Sequence, residues 1–173
     1  MEPWARRPWV GENTGPNPTD PAKCGSKRSV LTDGRGVPVA GVLDGANRVE
    51  PRGSPDNDHK LVRETLDAIA LRRPKVMPGR PQHLCLDKGY DPAEPREIAA
   101  EFGFTLHLRT RGEEVAAKRH AGAKARRWVV ERAHSWVNRF RAILIRWNKK
   151  PKNYLALLHF AFGIITWRHA LPG

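Results

Sequence analysis

Residues 83–109 read HLCLDKGYDPAEPREIAAEFGFTLHLR, and their order decides the fold class. HLCLD is a short apolar run of strand type, and KGYDP carries the breakers of a turn. Asp91 stands directly before PAEPREIAAEF, which reads as a helix capped by Asp91, opened by Pro92 or Pro95 and stopped by Gly103. FTLHLR is again strand-like. Strand, turn, helix and strand in that order predict a parallel α/β layer. Asp87 ends the first of the two strands. Ligands gather at the carboxyl ends of strands in open α/β sheets, so Asp87 is placed either to hold a ligand or metal ion or to serve the turn before the helix.

Towards the N-terminus, residues 27–47 (KRSVLTDGRGVPVAGVLDGAN) hold two β-type runs around DGRG. Asp33-Gly34 supplies the chemistry of a hairpin turn, with strands near residues 28–32 and 37–43. The first 27 residues crowd Pro, Gly, Asn and Arg without apolar periodicity. They predict an extended arm, leaving 28–170 as one domain. VEPRGSPD, residues 49–56, reads as a loop. Asn57 or Asp58 then caps HKLVRETLDAIALRR, where Leu61, Leu66, Ile69 and Ala70 form one apolar side of a helix.

Towards the C-terminus, the basic stretch 110–124 has little apolar content and predicts a mobile loop. RRWVVERAHSWVNRFR, residues 126–141, follows. Val129, Ala133, Trp136, Val137, Phe140 and Ile143 or Leu144 recur at spacings of three and four, so this is a helix whose stripe packs on the sheet. Glu131 lies away from that stripe, on a face shared with Arg127, Ser135, Asn138 and Arg139. One acid in a cationic stripe is either part of a solvated face, with ion pairs worth roughly 0.2–0.5 kcal/mol each, or a functional group. NYLALLHFAFGIITWRHA is apolar nearly all round but runs only about 14 residues before Arg168. It reads as a buried core helix or a self-association surface, with His159 a hydrogen-bonded histidine inside it.

Charge narrows the partner. Lys and Arg outnumber Asp and Glu by 31 to 18, giving +13 and a pI near 10.5. A polyanion is indicated, nucleic acid ahead of membrane. Hydrophobic content of 39% and six Trp in 173 residues fit a globular domain with a real core. Cys24 and Cys85 lie far apart without metal-ligand spacing, which argues against a disulfide framework or a structural zinc site. No apolar run reaches the roughly 18 residues of a membrane span, and the N-terminus lacks the apolar core of a signal peptide, so the expected location is the cytoplasm. If Asp87 and Glu131 meet, two hard carboxylates make a weak magnesium site completed by phosphate oxygens, and the surrounding arginines would hold a DNA backbone.

The blocks TGPNPTD, GSKRSVLTDGRGVPVAGVLDGAN, NDHKLVRETLDAI, HLCLDKGYD, RRWVVERAHSWVNRFR and KNYLALLHFAFGIITWR together resemble the catalytic half of bacterial insertion-sequence transposases of the DDE type, in the large group numbered five. The resemblance spans about residues 14–168. It implies a ribonuclease-H-like fold, a central mixed sheet with flanking helices bearing three acids that bind two divalent metals, Mg²⁺ or Mn²⁺. It further implies that Asp87 is the second acid and Glu131 the third, and that Arg127 matches the arginine four residues before the glutamate. Lys124 stands where the family's helix signature has tyrosine, and Asn138, next to Arg139, where it has lysine. The residues expected to hold DNA are Lys124, Arg127, Arg132, Arg139 and Arg141. The family's first catalytic aspartate belongs on the first strand, ahead of GPNPTD. Glu2 is the only acid near that place, so the fold is expected to be incomplete at the first strand and the chain a truncated or decayed copy. The expected reaction is metal-dependent cleavage of double-stranded DNA at element ends and strand transfer into a target, by a possible homo-oligomer associated with the nucleoid. The alternative is a catalytically inactive basic DNA-binding remnant that associates with full-length transposase.

Overall fold

The computed structural model describes residues 4–7, 12, 15–16, 24–45, 56–77, 79–86, 93–108 and 127–171. The strands are β1 (Trp4–Arg7), β2 (Gly15–Pro16), β3 (Cys24–Thr32), β4 (Pro38–Gly45), β5 (Gln82–Cys85) and β6 (Phe104–His107). The helices are α1 (Asp56–Asp67), α2 (Ala93–Glu101), α3 (Arg127–Asn138), α4 (Arg141–Leu144) and α5 (Pro151–Ala170). The chain is therefore of mixed α/β class.

β3 organises the first sheet. It pairs antiparallel with β4 from Ser26↔Gly45 to Leu31↔Ala40, and its first residues pair antiparallel with β1 and β2. The expected arm thus contains two strands. Its composition hid them because strand formation at Trp4–Arg7 comes from backbone pairing with a distant partner, which needs no alternation of side chains. The hairpin turn forms where expected. The Asp33 carboxylate accepts hydrogen bonds from the backbone N–H of Arg35 (2.9 Å) and Val37 (2.8 Å), and the residue at positive φ is Gly36 (φ 90°).

β5 and β6 form a separate parallel pair, Gln82↔Phe104 to Cys85↔His107, joined through α2 as residues 83–109 predict. Gly103, at φ 73°, ends α2 and turns the chain into β6. α1 begins at Asp56, so Asn57 and Asp58 lie in its first turn rather than at its cap, and it stops at Asp67 instead of running to Arg73. Ala70 and Leu71 are exposed, and Pro74 disfavours helical backbone at Arg73. Arg73 instead donates to the Phe102 carbonyl (2.6 Å) and lies 4.4 Å over the Phe104 ring, fastening this segment to the parallel pair.

Two apolar clusters sit on opposite faces of the hairpin. On one, Leu43 packs with Val137, Ile143, Tyr154, Leu158, Ala161, Phe162 and Ile165, and Val30 lies against them. On the other, Val62, Leu66, Leu84, Ile98 and Ala99 pack together, with Leu31, Ile69 and Leu106 against them. Alternation along β3 feeds both layers: Ser26, Arg28 and Val30 face α3 and α5, whereas Ser29 and Leu31 face α1, where Thr65 Oγ1 donates to Ser29 Oγ at 2.7 Å. The helix expected across residues 126–144 is broken. α3 ends at Asn138, Phe140 is extended (φ −82°, ψ 102°), and α4 restarts at Arg141. The break lets Val137 and Ile143 enter one cluster, which leaves Leu144 exposed.

α5 begins with Pro151 at its first turn and buries Tyr154, Leu158, Ala161, Phe162 and Ile165. His159 Nε2 donates to the Gly41 carbonyl (3.1 Å), the hydrogen-bonded role expected of it. No helix among the described residues is long and apolar enough to cross a membrane. The segment 110–124, expected as a loop, lies outside the described residues.

Gly41 is where α5 touches β4 most closely. A Cβ there would fall 2.7 Å from Phe162 Cε2 and 3.3 Å from the Ser29 carbonyl oxygen. Gly41→Ala is expected to lower stability by about 1–3 kcal/mol, read as a fall in the urea midpoint. Gly34→Ala, where nothing lies within 4 Å, should leave the midpoint nearly unchanged.

Candidate catalytic and nucleic-acid site

Three contacts set the position of α3. Val129, Ala133 and Val137 are 7%, 0% and 1% exposed, so the apolar stripe is fully covered and the opposite face, with Glu131 and Arg132, is turned to solvent. The hairpin turn abuts the helix at Gly36, where a Cβ would lie 3.0 Å from the Val129 carbonyl oxygen. Arg132 completes the junction by donating through Nη1 to the Arg35 carbonyl (3.4 Å). Its guanidinium carbon sits 4.4 Å from the Trp128 ring centre and 5.8 Å from that of Trp136. Stacked cations of this kind keep their charge and their outward donors.

The third contact explains a departure from the family signature. Asn138, standing where the signature has lysine, accepts a 2.9 Å hydrogen bond from Arg28 Nη2. Arg28 is 2% exposed and Arg146 fully buried. A lysine at 138 would set cation against cation there. Arg146 Nη1 donates to Ser26 Oγ (2.7 Å), and its other donors reach the carbonyls of Asn148 (3.3 Å) and Lys149 (3.4 Å). Burial holds the Arg28 pKa below its ordinary value and the Tyr154 hydroxyl above its own, and that hydroxyl donates to the Ile143 carbonyl at 2.7 Å. Sequence reasoning treated arginines as DNA-facing and missed these two. The available signal was the period-2 position of Arg28 between Ser26 and Val30 on one face of β3.

Of the sequence-expected site residues, Glu131, Arg132, Arg139 and Arg141 are exposed on α3 and at the start of α4. Asp87 follows β5, whose pairing extends to a Leu86 N–H bond to the His107 carbonyl (3.3 Å). Asp87 and Lys124 themselves lie outside the described residues, as does the Arg127 side chain, so the meeting of Asp87 with Glu131 falls outside them too. Among the described residues no three acid, His or Cys side chains could jointly hold a metal ion.

Residues 84–168, from β5 through Glu131 into α5, match the family model described as Transposase DDE domain. A Burkholderia cepacia protein assigned as transposase for insertion sequence element IS402 is 37% identical over 168 residues, covering 93% of this chain and 72% of its own. The chain belongs to the insertion-sequence DDE transposases. No solved structure matches it significantly. The chain's basic excess accords with the DNA binding that a transposase implies.

His134, next to this transposase's exposed acid face, is buried, and its Nδ1 has no hydrogen-bond partner among the described residues. Burial, reinforced by the nearby Arg28 charge, pushes its pKa down to about 4 from 6.5. The unfolded chain therefore binds a proton that the folded chain refuses. Stability is complete above about pH 6.5 and falls as pH drops towards 4, by up to roughly 3 kcal/mol. His134→Leu is expected to remove most of that slope between pH 6.5 and 4 in urea unfolding.

Proposed function

We propose that this transposase cuts double-stranded DNA at insertion-sequence ends and joins the ends to a target, with Asp87 and Glu131 as its catalytic carboxylates. The observation that carries the reading is Glu131, a solvent-exposed acid on α3 inside the span that matches the DDE domain, with Arg132 exposed beside it and Arg139 and Arg141 exposed farther along the chain. The element order supports a ribonuclease-H-like framework: antiparallel β1, β3 and β4, then α1, then the parallel unit β5–α2–β6, then the glutamate helix. β1 comes first in that order and pairs with β3. Glu2, the acid nearest to it, lies outside the described residues.

The donor chemistry suits Mg²⁺ or Mn²⁺. Asp87 and Glu131 are hard oxygen ligands, and the exposure of Glu131 leaves room for the waters and phosphate oxygens that complete such a shell. When bound, the ion would activate the attacking water or 3′ hydroxyl and stabilise the leaving oxygen. The chain's own contribution is positioning. Arg139 and Arg141 hold phosphates without reading sequence, and the Arg28–Asn138 bond fixes the rotation of the helix that carries Glu131. Association with the nucleoid, and with further copies of the chain, follows from the same substrate.

Nicking of supercoiled plasmid carrying the element's ends tests the reading. Metal-dependent nicking is expected, and Asp87→Asn and Glu131→Gln should each reduce it to background. DNA binding without any cutting would instead assign the chain to the inactive DNA-binding remnants. Arg141→Ala should weaken all duplexes alike and lower the slope of log affinity against log salt by about 1, measured by anisotropy across a salt series.

A further inference from the structure

Four flat groups stand in line along α3 and onto the end of α5. Trp128, 44% exposed, is followed by the Arg132 guanidinium 4.4 Å from its ring centre. That guanidinium lies 5.8 Å from Trp136, whose ring stacks on His169 with centres 4.3 Å apart and planes 39° from parallel. At the end of this line is a cavity of about 330 Å³ lined by Trp136, Arg139, Phe140, Ile165, Arg168 and His169. His169 Nδ1 donates to the Ile165 carbonyl (2.8 Å), which holds its ring against Trp136 and leaves Nε2 as an acceptor. The Arg139 and Arg168 guanidiniums make no hydrogen bond or ion pair with any described residue, and both residues are exposed.

We propose that the Trp136–His169 cavity takes one unpaired nucleobase of DNA, with Arg139 and Arg168 holding the phosphates on either side of it. The inference rests on the DNA reading above and adds to it a site for a nucleotide taken out of the duplex. Its chemistry has three parts. The aromatic lining offers stacking to any base, and two guanidiniums at the rim, without partners among the described residues, match backbone phosphates. The oriented His169 Nε2 offers an acceptor to an exocyclic amino group. The volume lies at the low end of ligand pockets and is enough for one base. A paired duplex cannot reach such walls, because its bases present edges and not faces. Trp128 and Arg132, at the far end of this line from the cavity, share the exposed side of α3 with Glu131, whereas Trp136 leans on the core cluster.

The test compares three duplexes of one sequence: fully paired, carrying one extra unpaired 2-aminopurine, and carrying an abasic residue at the same place. The chain is expected to bind the unpaired-base duplex about tenfold tighter than the other two, with the 2-aminopurine fluorescence quenched by stacking. Arg168→Ala and His169→Ala, both at the surface, should erode that ratio while paired-duplex binding stays close to wild type. Trp136→Phe, which keeps most of the core packing, should weaken the quenching. Equal affinity for all three duplexes overturns the inference and leaves the DNA reading standing. A preference that survives all three variants also overturns it, because the base then sits elsewhere. Failure to bind any of the duplexes removes the DNA reading and this inference with it. A DNA-free dimer dissolved by Trp136→Phe or Arg168→Ala, seen by sedimentation, would give the cavity to a second copy and overturn the inference.

Discussion

A buried guanidinium is costly unless its donors are met, and two of them sit between the hairpin and the C-terminal helices. Arg146 meets its donors on Ser26 Oγ and on the carbonyls of Asn148 and Lys149, with its charge 5.7 Å from the centre of the Tyr154 ring. Arg28 reaches Asn138. These bonds join β3 to α3 and to the connection between α4 and α5, which are more than 100 residues away in sequence. They also allow only one register. Sliding β3 by a single residue would move Arg28 and Ser26 to the opposite face, against α1, and leave Asn138 facing a different side chain.

The consequence reaches the candidate site. Asn138 lies two turns beyond Glu131 on α3, so the bond that holds Asn138 inward also sets which way Glu131 points. The Gly36 turn and Arg132 brace the same helix from its other end. A catalytic acid gains from such support, because a carboxylate held on a rigid helix keeps its geometry when substrate arrives. Apolar packing does the rest: Tyr154 and Leu158 are fully buried, and each side chain of the Leu class contributes roughly 1.5–3 kcal/mol.

Much of this was readable in the chain. The parallel unit from residue 82 to 107 follows from local chemistry, since the apolar runs, Pro95 and Gly103 act within a few residues of where they stand, while the expected cap Asp91 lies outside the described residues. The hairpin around Asp33 is equally local, because that carboxylate bonds backbone two and four residues on. Less visible were features that depend on distant partners. β1 exists through its pairing with β3, the segment after α1 is fastened by Arg73 reaching Phe102, and the α3–α4 break answers to the shape of the cluster around Ile143.

The candidate site divides in the same way. Sequence determined the family, the basic balance, the exposed acid at 131 and the apolar stripe opposite it, because those depend on residue identity and helical period. Only the tertiary structure separated arginines that face solvent from Arg28 and Arg146, which hold the core. Only it stacked Trp136 on His169 across two helices to wall a cavity. An arginine reads the same in either setting, and whether its charge meets water or a buried acceptor is settled by the elements that close around it.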